Sequence, residues 1–180
     1  GYQKWCIQTG DFVISKPAIT SEGNIVFGSG DEFVYCASAN DGNVIWNTKL
    51  GGSVLSDPLT SEGRVFIGCG DGKIYCLNSA SGEIVWGYQT DGLMRQRPIL
   101  ENGILYAFVR DTYIWYAIDA STGQLIWRGN ANTDESLFVC GDVRPVIANG
   151  KLWCIDAQNT RPAYLSLHTG ELGSRSTLEK

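Results

Sequence analysis

The segments CASANDGNVIW (residues 36–46), CLNSASGEIVW (76–86) and AIDASTGQLIW (117–127) are three versions of one phrase. Each has a small residue, a polar turn whose glycine stands four places before a tryptophan, and two aliphatic residues leading into that tryptophan. The tryptophans Trp5, Trp46, Trp86 and Trp127 follow one another at steps of 41, 40 and 41 residues. The turn glycines Gly42, Gly82, Gly123 and Gly170 follow at steps of 40, 41 and 47, and Pro17, Pro58, Pro98 and Pro145 and a second glycine set, Gly23, Gly63, Gly103 and Gly150, likewise keep steps of 40 or 41 before a last one of 47. Self-similarity at a fixed period near 40 residues decides architecture before local propensity does.

Inside each copy the sequence predicts four short strands: one at the proline (PAIT, PLTS, PILE, PVIA), one after the second glycine, one carrying aromatics (FVYCA, KIYCL, YIWYAI, AYLSL), and one ending in tryptophan. Strands of about five residues separated by Gly, Asp and Ser turns make a four-stranded antiparallel sheet, too small to stand alone. Four strands per repeat of this length is a propeller blade. The fold predicted is therefore all-β, one propeller domain over residues 1–180 built of four four-stranded antiparallel blades. They occupy approximately 11–50, 51–91, 92–131 and 132–174, with an N-terminal strand at 1–10.

The ends bear on closure. The fourth copy reads ELGSRSTLEK after its turn, with Ser174 in the tryptophan place, so its outer strand is expected to be missing. YQKWCIQTG at the other end is a tryptophan strand with no blade before it. If the N-terminal strand completes the last sheet, the ring closes with four blades and no exposed sheet edge. The alternative is that these are four blades of a larger ring, including half of an eight-bladed ring made by two copies.

The motif AIDASTGQLIW, Ala117 to Trp127, resembles the tryptophan-docking motif of the quinoprotein-type β-propellers, the repeat of pyrroloquinoline quinone dehydrogenases and of an outer-membrane assembly lipoprotein. CLNSASGEIVW matches it with Cys76 in the alanine place, and CASANDGNVIW matches less closely. The resemblance implies the fold over essentially the whole chain and no single activity, since one scaffold hosts enzymes, scaffolds and sensors. It implies the structural docking role for Trp5, Trp46, Trp86 and Trp127. A tryptophan buries about 150–250 Å²; at the end of an outer strand it is expected to cover the neighbouring blade's turn, with Cys36, Cys76 and Ala117 as the small positions. Cofactor-binding relatives use a larger ring, a tryptophan disk, calcium-binding carboxylates and a vicinal cysteine pair. This chain has no Cys-Cys dipeptide, and no cofactor is expected.

Composition bounds the function. The chain carries 43% hydrophobic residues, 18% charged residues and a net charge of −5, so general attraction to nucleic acid or anionic membrane is excluded as its main business. No apolar run approaches the ~20 residues of a membrane span. Six cysteines stand singly in apolar strand-like stretches, which reads as buried reduced thiols and a cytoplasmic setting in preference to a periplasmic or secreted one. With one histidine, no CxxC and no HExxH, no metal site is expected. His168 sits in a turn, without a nucleophile elbow around it. GCGDGK lacks the first glycine of a phosphate loop, where Ile67 stands, and reads as a turn matched by GSGDEF.

Chemistry is expected where the first strand of each blade lines the channel. The residues before the prolines are Lys16, Asp57, Arg97 and Arg144, and two places earlier stand Ile14, Leu55, Arg95 and Asp142. Two accounts compete. In one, ion pairs neutralise the channel, Arg97 or Arg144 with Asp57 and Arg95 with Asp142. In the other, Lys16, Arg95, Arg97 and Arg144, with Gln96, Ser15, Ser56 and Asp57 at the rim, bind an anion through guanidinium forks. The long step from Pro98 to Pro145 inserts NANTDESLFVCGD, whose Asp134 and Glu135 read as solvated and whose Phe138 is placed to cap the channel; VRDTYIWYAID adds Arg110, Asp111, Tyr113 and Trp115.

Two functions follow from these residues. The first is a noncatalytic recognition module for a partner protein or small anionic ligand, standing alone, as a homodimer or as a domain of a larger chain. The second is a cofactor-independent enzyme acting on an anionic molecule, with Asp57 or Asp142 as base, Tyr113 as acid, and Arg97 and Arg144 holding developing charge.

Overall fold

The computed structural model describes residues 1–130, 132–133, 136–137, 145–155 and 162–174. These residues form strands and turns and no helix, and none of their segments is a helix long and apolar enough to cross a membrane. The first sheet is β1 (Ala18–Ile19), β2 (Ile25–Gly28), β3 (Phe33–Ala37) and β4 (Val44–Lys49). The second is β5 (Leu59–Ser61), β6 (Arg64–Gly68), β7 (Lys73–Asn78) and β8 (Ile84–Gln89). The third is β9 (Ile99–Glu101), β10 (Ile104–Val109), β11 (Ile114–Asp119) and β12 (Leu125–Asn130). A small hairpin, β13 (Asn132–Thr133) with β14 (Ser136–Leu137), precedes the fourth sheet of β15 (Val146–Ala148), β16 (Lys151–Ile155), β17 (Pro162–Ser166) and β18 (Leu172–Ser174). Each four-stranded sheet is an antiparallel meander in chain order, the blade that the repeat predicts. The chain forms two compact units, Gly1–Ile99 and Leu100–Lys180.

The repeated glycines have definite work. In the turns Glu62–Gly63, Asn102–Gly103 and Asn149–Gly150 both residues have positive φ, the two-residue geometry that suits the twist of a hairpin. Trp46 lies over Gly82: its Nε1 donates to Ser79 O at 2.9 Å, and a Cβ on that glycine, whose φ is 75°, would sit 2.6 Å from the indole. Trp127 repeats this over Gly170, donating to Leu167 O at 2.9 Å, and Trp5 repeats it over Gly42, donating to Ala39 O at 3.2 Å. The small residues act one step away from where the sequence suggests. Cys36, Cys76 and Ala117 face Trp46, Trp86 and Trp127 across the ladder of their own blade, next to a β-bulge, and so make room within the sheet rather than in the neighbour's turn.

Between the first two sheets Val26, Val34, Val54, Val65, Ile67 and Leu77 are fully buried. The linkers complete this packing. Leu50 N–H donates to Glu32 O and Val54 N–H to Ser29 O; one repeat later Thr90 N–H donates to Gly72 O and Met94 N–H to Cys69 O. Val54 presses on Gly28 and Met94 on Gly68 so closely that a Cβ on either glycine would lie 2.5 or 2.7 Å from the incoming residue. The third blade has Phe108 at this register position, 3% exposed and packed on Trp115 with ring centroids 5.0 Å apart.

Two expectations about the ends change. The fourth sheet has its outer strand: β18 pairs with β17 through Ala163, Tyr164 and Leu165, by backbone bonds that need no tryptophan. The closing strand expected at residues 1–10 is not formed, since residues 1–17 contain no strand and join no sheet. Of the thiols, Cys36, Cys69 and Cys76 are free and buried as expected, whereas Cys6 is free and exposed; Cys140 and the side chain of Cys154 lie outside the described residues. Burial pushes the Cys36 and Cys69 thiols up to about 11, which keeps them protonated and unreactive at neutral pH.

Candidate binding face at the inner-strand ends

Proline fixes φ, lacks an N–H and holds the preceding residue in extended backbone, so each blade's first strand is entered through a straight segment that presents the residue before the proline. Three hydrogen bonds lace these entrances at a spacing of one repeat. Lys16 N–H donates to Asp57 Oδ1 at 2.7 Å, Ser56 Oγ donates to Gln96 O at 2.9 Å, and Thr60 Oγ1 donates to Ile19 O at 2.8 Å. Lys16, Asp57 and Gln96 are thereby brought together at the entrances of neighbouring inner strands. Ser15 and Ser56, expected to offer hydroxyls to a ligand, are buried and used internally, Ser15 with both backbone groups of Gly28 at 2.9 Å.

The charges on this face are unbalanced. Lys16, Arg95 and Arg97 are exposed, while Asp57 and Gln96 are half-buried. Among the described residues none of the three cations makes an ion pair, in contrast to Lys49, which pairs with Glu32 at 3.3 Å. The pairing of Arg97 with Asp57 is therefore not formed, because the Asp57 carboxylate accepts the Lys16 amide instead. Arg144 and Asp142 lie outside the described residues, as do Asp134, Glu135 and Phe138. Tyr113 is half-buried in the β10–β11 turn with φ of 57°, a strained conformation for an aromatic residue. In the same hairpin Thr112 Oγ1 and Trp115 Nε1 are buried without a hydrogen-bond partner.

Sequence reasoning missed the brace beneath this face. In each of the first two blades an aspartate in the β2–β3 or β6–β7 turn accepts a tyrosine hydroxyl four residues on: Tyr35 to Asp31 at 2.8 Å and Tyr75 to Asp71 at 2.6 Å. The same carboxylates accept Phe33 N–H and Lys73 N–H, so the turn seen in GCGDGK is a carboxylate-centred loop. Burial and then the Asp31 bond push the Tyr35 hydroxyl up to about 12, while Asp71 stays below its ordinary value because Tyr75 and the Lys73 amide outweigh its burial. The Asp-x-x-x-Tyr spacing in both turns was the available signal. At the opposite end of these blades an open cleft of about 250 Å³ is lined by Thr20, Ser61, Glu62, Arg64 and Ser79. His168 is exposed, and among the described residues no cluster of metal-ligating side chains forms.

Residues 5–71 and 59–179 match the family described as outer membrane protein assembly factor BamB. Among solved structures the chain is similar to BamB from Moraxella catarrhalis, with 22% identity and a TM-score of 0.74 over 94% of this chain and 51% of that one. It is similar to quinohemoprotein alcohol dehydrogenase from Comamonas testosteroni, with 16% identity and a TM-score of 0.70 over 94% of this chain and 35% of that one. It is also similar to the computationally designed Ika8 protein, with 16% identity and a TM-score of 0.62 over 83% of this chain and 44% of that one. The chain thus spans about half the length of the first of these, and less of the other two. No curated protein matches its sequence.

Proposed function

Because this chain belongs to the family of outer membrane protein assembly factor BamB, a family of quinoprotein-repeat propellers, we propose that it is a noncatalytic interaction module for a partner protein of such an assembly. It recognises an acidic segment of that partner along the inner-strand ends, with Lys16, Arg95 and Arg97 as contacts and Gln96 as a neutral hydrogen-bonding group. The observation that carries this reading is the imbalance at the face: Asp57 is tied to the Lys16 amide while three cations stand exposed without a carboxylate. Exposed guanidinium forks suit carboxylates geometrically, and a one-signed rim speeds encounter with an oppositely charged segment. Asp57 in this role is a positioning group, which supports binding over use as a catalytic base.

The test is titration with a fluorescent ten-residue polyglutamate peptide at low and physiological salt. Binding should weaken with salt and fall about tenfold or more in R95A/R97A, at an unchanged denaturation midpoint. Equal binding by wild type and double variant refutes the site. Displacement of the peptide by millimolar citrate would instead indicate a small-anion pocket.

A further inference from the structure

Opposite charges share the cleft at the far end of the first two blades without meeting. Thr20 and Ser21 of the first blade form one wall, and Ser61, Glu62, Arg64 and Ser79 of the second form the other, around about 250 Å³. Bonds between the blades fix the walls: Trp46 Nε1 donates to Ser79 O at 2.9 Å, Thr60 Oγ1 to Ile19 O at 2.8 Å, and Ser79 Oγ to the Glu22 carboxylate at 3.4 Å. Glu22 is further held by Ser21 Oγ at 2.9 Å. Among the described residues neither Glu62 nor the half-buried Arg64 makes an ion pair. The Arg64 guanidinium has the Cys76 sulfur, at 3.6 Å, where an oxygen would serve it better. A guanidinium carries five N–H donors and a thiol sulfur is a weak acceptor, so most of the fork is left to a ligand.

The repeat itself does not require these residues. The place after the second glycine holds Asn24, Arg64, Ile104 and Lys151. Lys151 has its Nζ 3.9 Å from the centre of the Tyr164 ring, so its charge is met within its own sheet, Tyr164 standing where Cys76 stands in the second. The carbonyl that accepts a docking tryptophan belongs to Ala39, Ser79 or Leu167, a role for which the serine hydroxyl is superfluous. Before the glycine, Glu62 has φ of 48°, while Asn102 and Asn149 hold the same conformation at 50° and 52°. Asparagine adopts that backbone more readily than glutamate, so the turn alone would be better served by asparagine.

We infer that this cleft binds a small zwitterion, an α-amino acid with a short polar side chain, its carboxylate on the Arg64 guanidinium and its ammonium on Glu62. A bare anion would meet the carboxylates of Glu22 and Glu62 beside the arginine, and a bare cation would meet the arginine, whereas a ligand carrying both charges a few bonds apart satisfies each. The volume lies below the roughly 300–1,000 Å³ of sites for drug-sized molecules, which keeps the ligand small. Hydroxyls of serine and threonine dominate the walls, with Ile19 as the apolar contribution, which suits a polar side chain. The site lies at the other end of the blades from Lys16, Arg95 and Arg97 and does not depend on the binding face proposed above.

The test is titration of the chain with L-serine, acetate and ethanolamine, followed by the amide NMR shifts of Ser61, Glu62, Arg64 and Ser79. L-serine should shift these amides and bind at least about tenfold more tightly than acetate or ethanolamine, since only it makes charge-assisted bonds at both ends. Glu62→Asn and Arg64→Ile give the second blade the residues that the third carries at these places, Asn102 and Ile104, so both variants should fold, with thermal midpoints no lower than that of the wild type. In Glu62→Asn L-serine should bind no better than acetate, and in Arg64→Ile no better than ethanolamine, while R95A/R97A binds it as the wild type does. Acetate or ethanolamine binding the wild type as tightly as L-serine, an unchanged L-serine affinity in either cleft variant, or no shift at about 50 mM L-serine overturns the inference.

Discussion

Trp46 and Trp5 make the same contact in different company. Each indole covers the positive-φ glycine of the next turn and donates to a carbonyl three residues before that glycine. Trp46 does so from within β4, over a core in which Val54 and Leu50 are buried; Trp5 does so from a segment that joins no sheet, with Val13 and Ile14 in water. The docking motif is therefore a latch between blades, and the strength of the latch depends on the sheet that carries the tryptophan.

Variants that break this comparison should differ in size. Trp46→Ala should cost about 3–5 kcal/mol in urea unfolding, as for a large aromatic removed from a core, while Trp5→Ala should cost under about 2 kcal/mol because the segment that carries it joins no sheet and Trp5 is only part-buried. Equal costs would show that the N-terminal segment is as firmly held as β4. Gly28→Leu, which forces a side chain into the space of Val54, should cost about 1–3 kcal/mol by overpacking. Val54→Ala should cost about 2 kcal/mol against less than about 0.5 kcal/mol for Val13→Ala; thermal midpoints of the two read the difference directly.

The smallest effect concerns pH. Asp31 and Asp71 are held below their ordinary value of 3.8 in the folded chain, so the unfolded chain binds more protons as acid is added. Their contribution is complete above about pH 4 and declines as pH falls through their lower folded values. Each should contribute less than about 1 kcal/mol, given partial exposure. Asp71→Asn should flatten the acid limb of a stability–pH curve between pH 4 and 2 while leaving its shape above pH 5 unchanged; an unaltered acid limb would refute the assignment.

The blades were legible because a tryptophan, two glycines and a proline recur at one spacing, and each has a single geometric use. The outer strand of the fourth blade was not, because β18 is held by backbone pairing and has Ser174 where the pattern asks for tryptophan. The charged face was legible as a set of positions, since prolines mark the inner-strand entrances. Its wiring was not: an aspartate in register with arginines suggests an ion pair, and only the fold shows that Asp57 reaches the Lys16 main chain instead of the Arg97 guanidinium. Gly28 and Gly68 were visible as letters, but the reason for them belongs to another blade's linker.

The lacing of successive inner strands at 40 or 41 residues has a kinetic consequence. Every tie reaches only to the adjacent repeat, so loop-closure entropy is paid in instalments of one length however many repeats follow, and the folding barrier should scarcely grow as copies are added. Loss of order should begin at an end copy and move inward, giving unfolding traces whose cooperativity declines as the array lengthens.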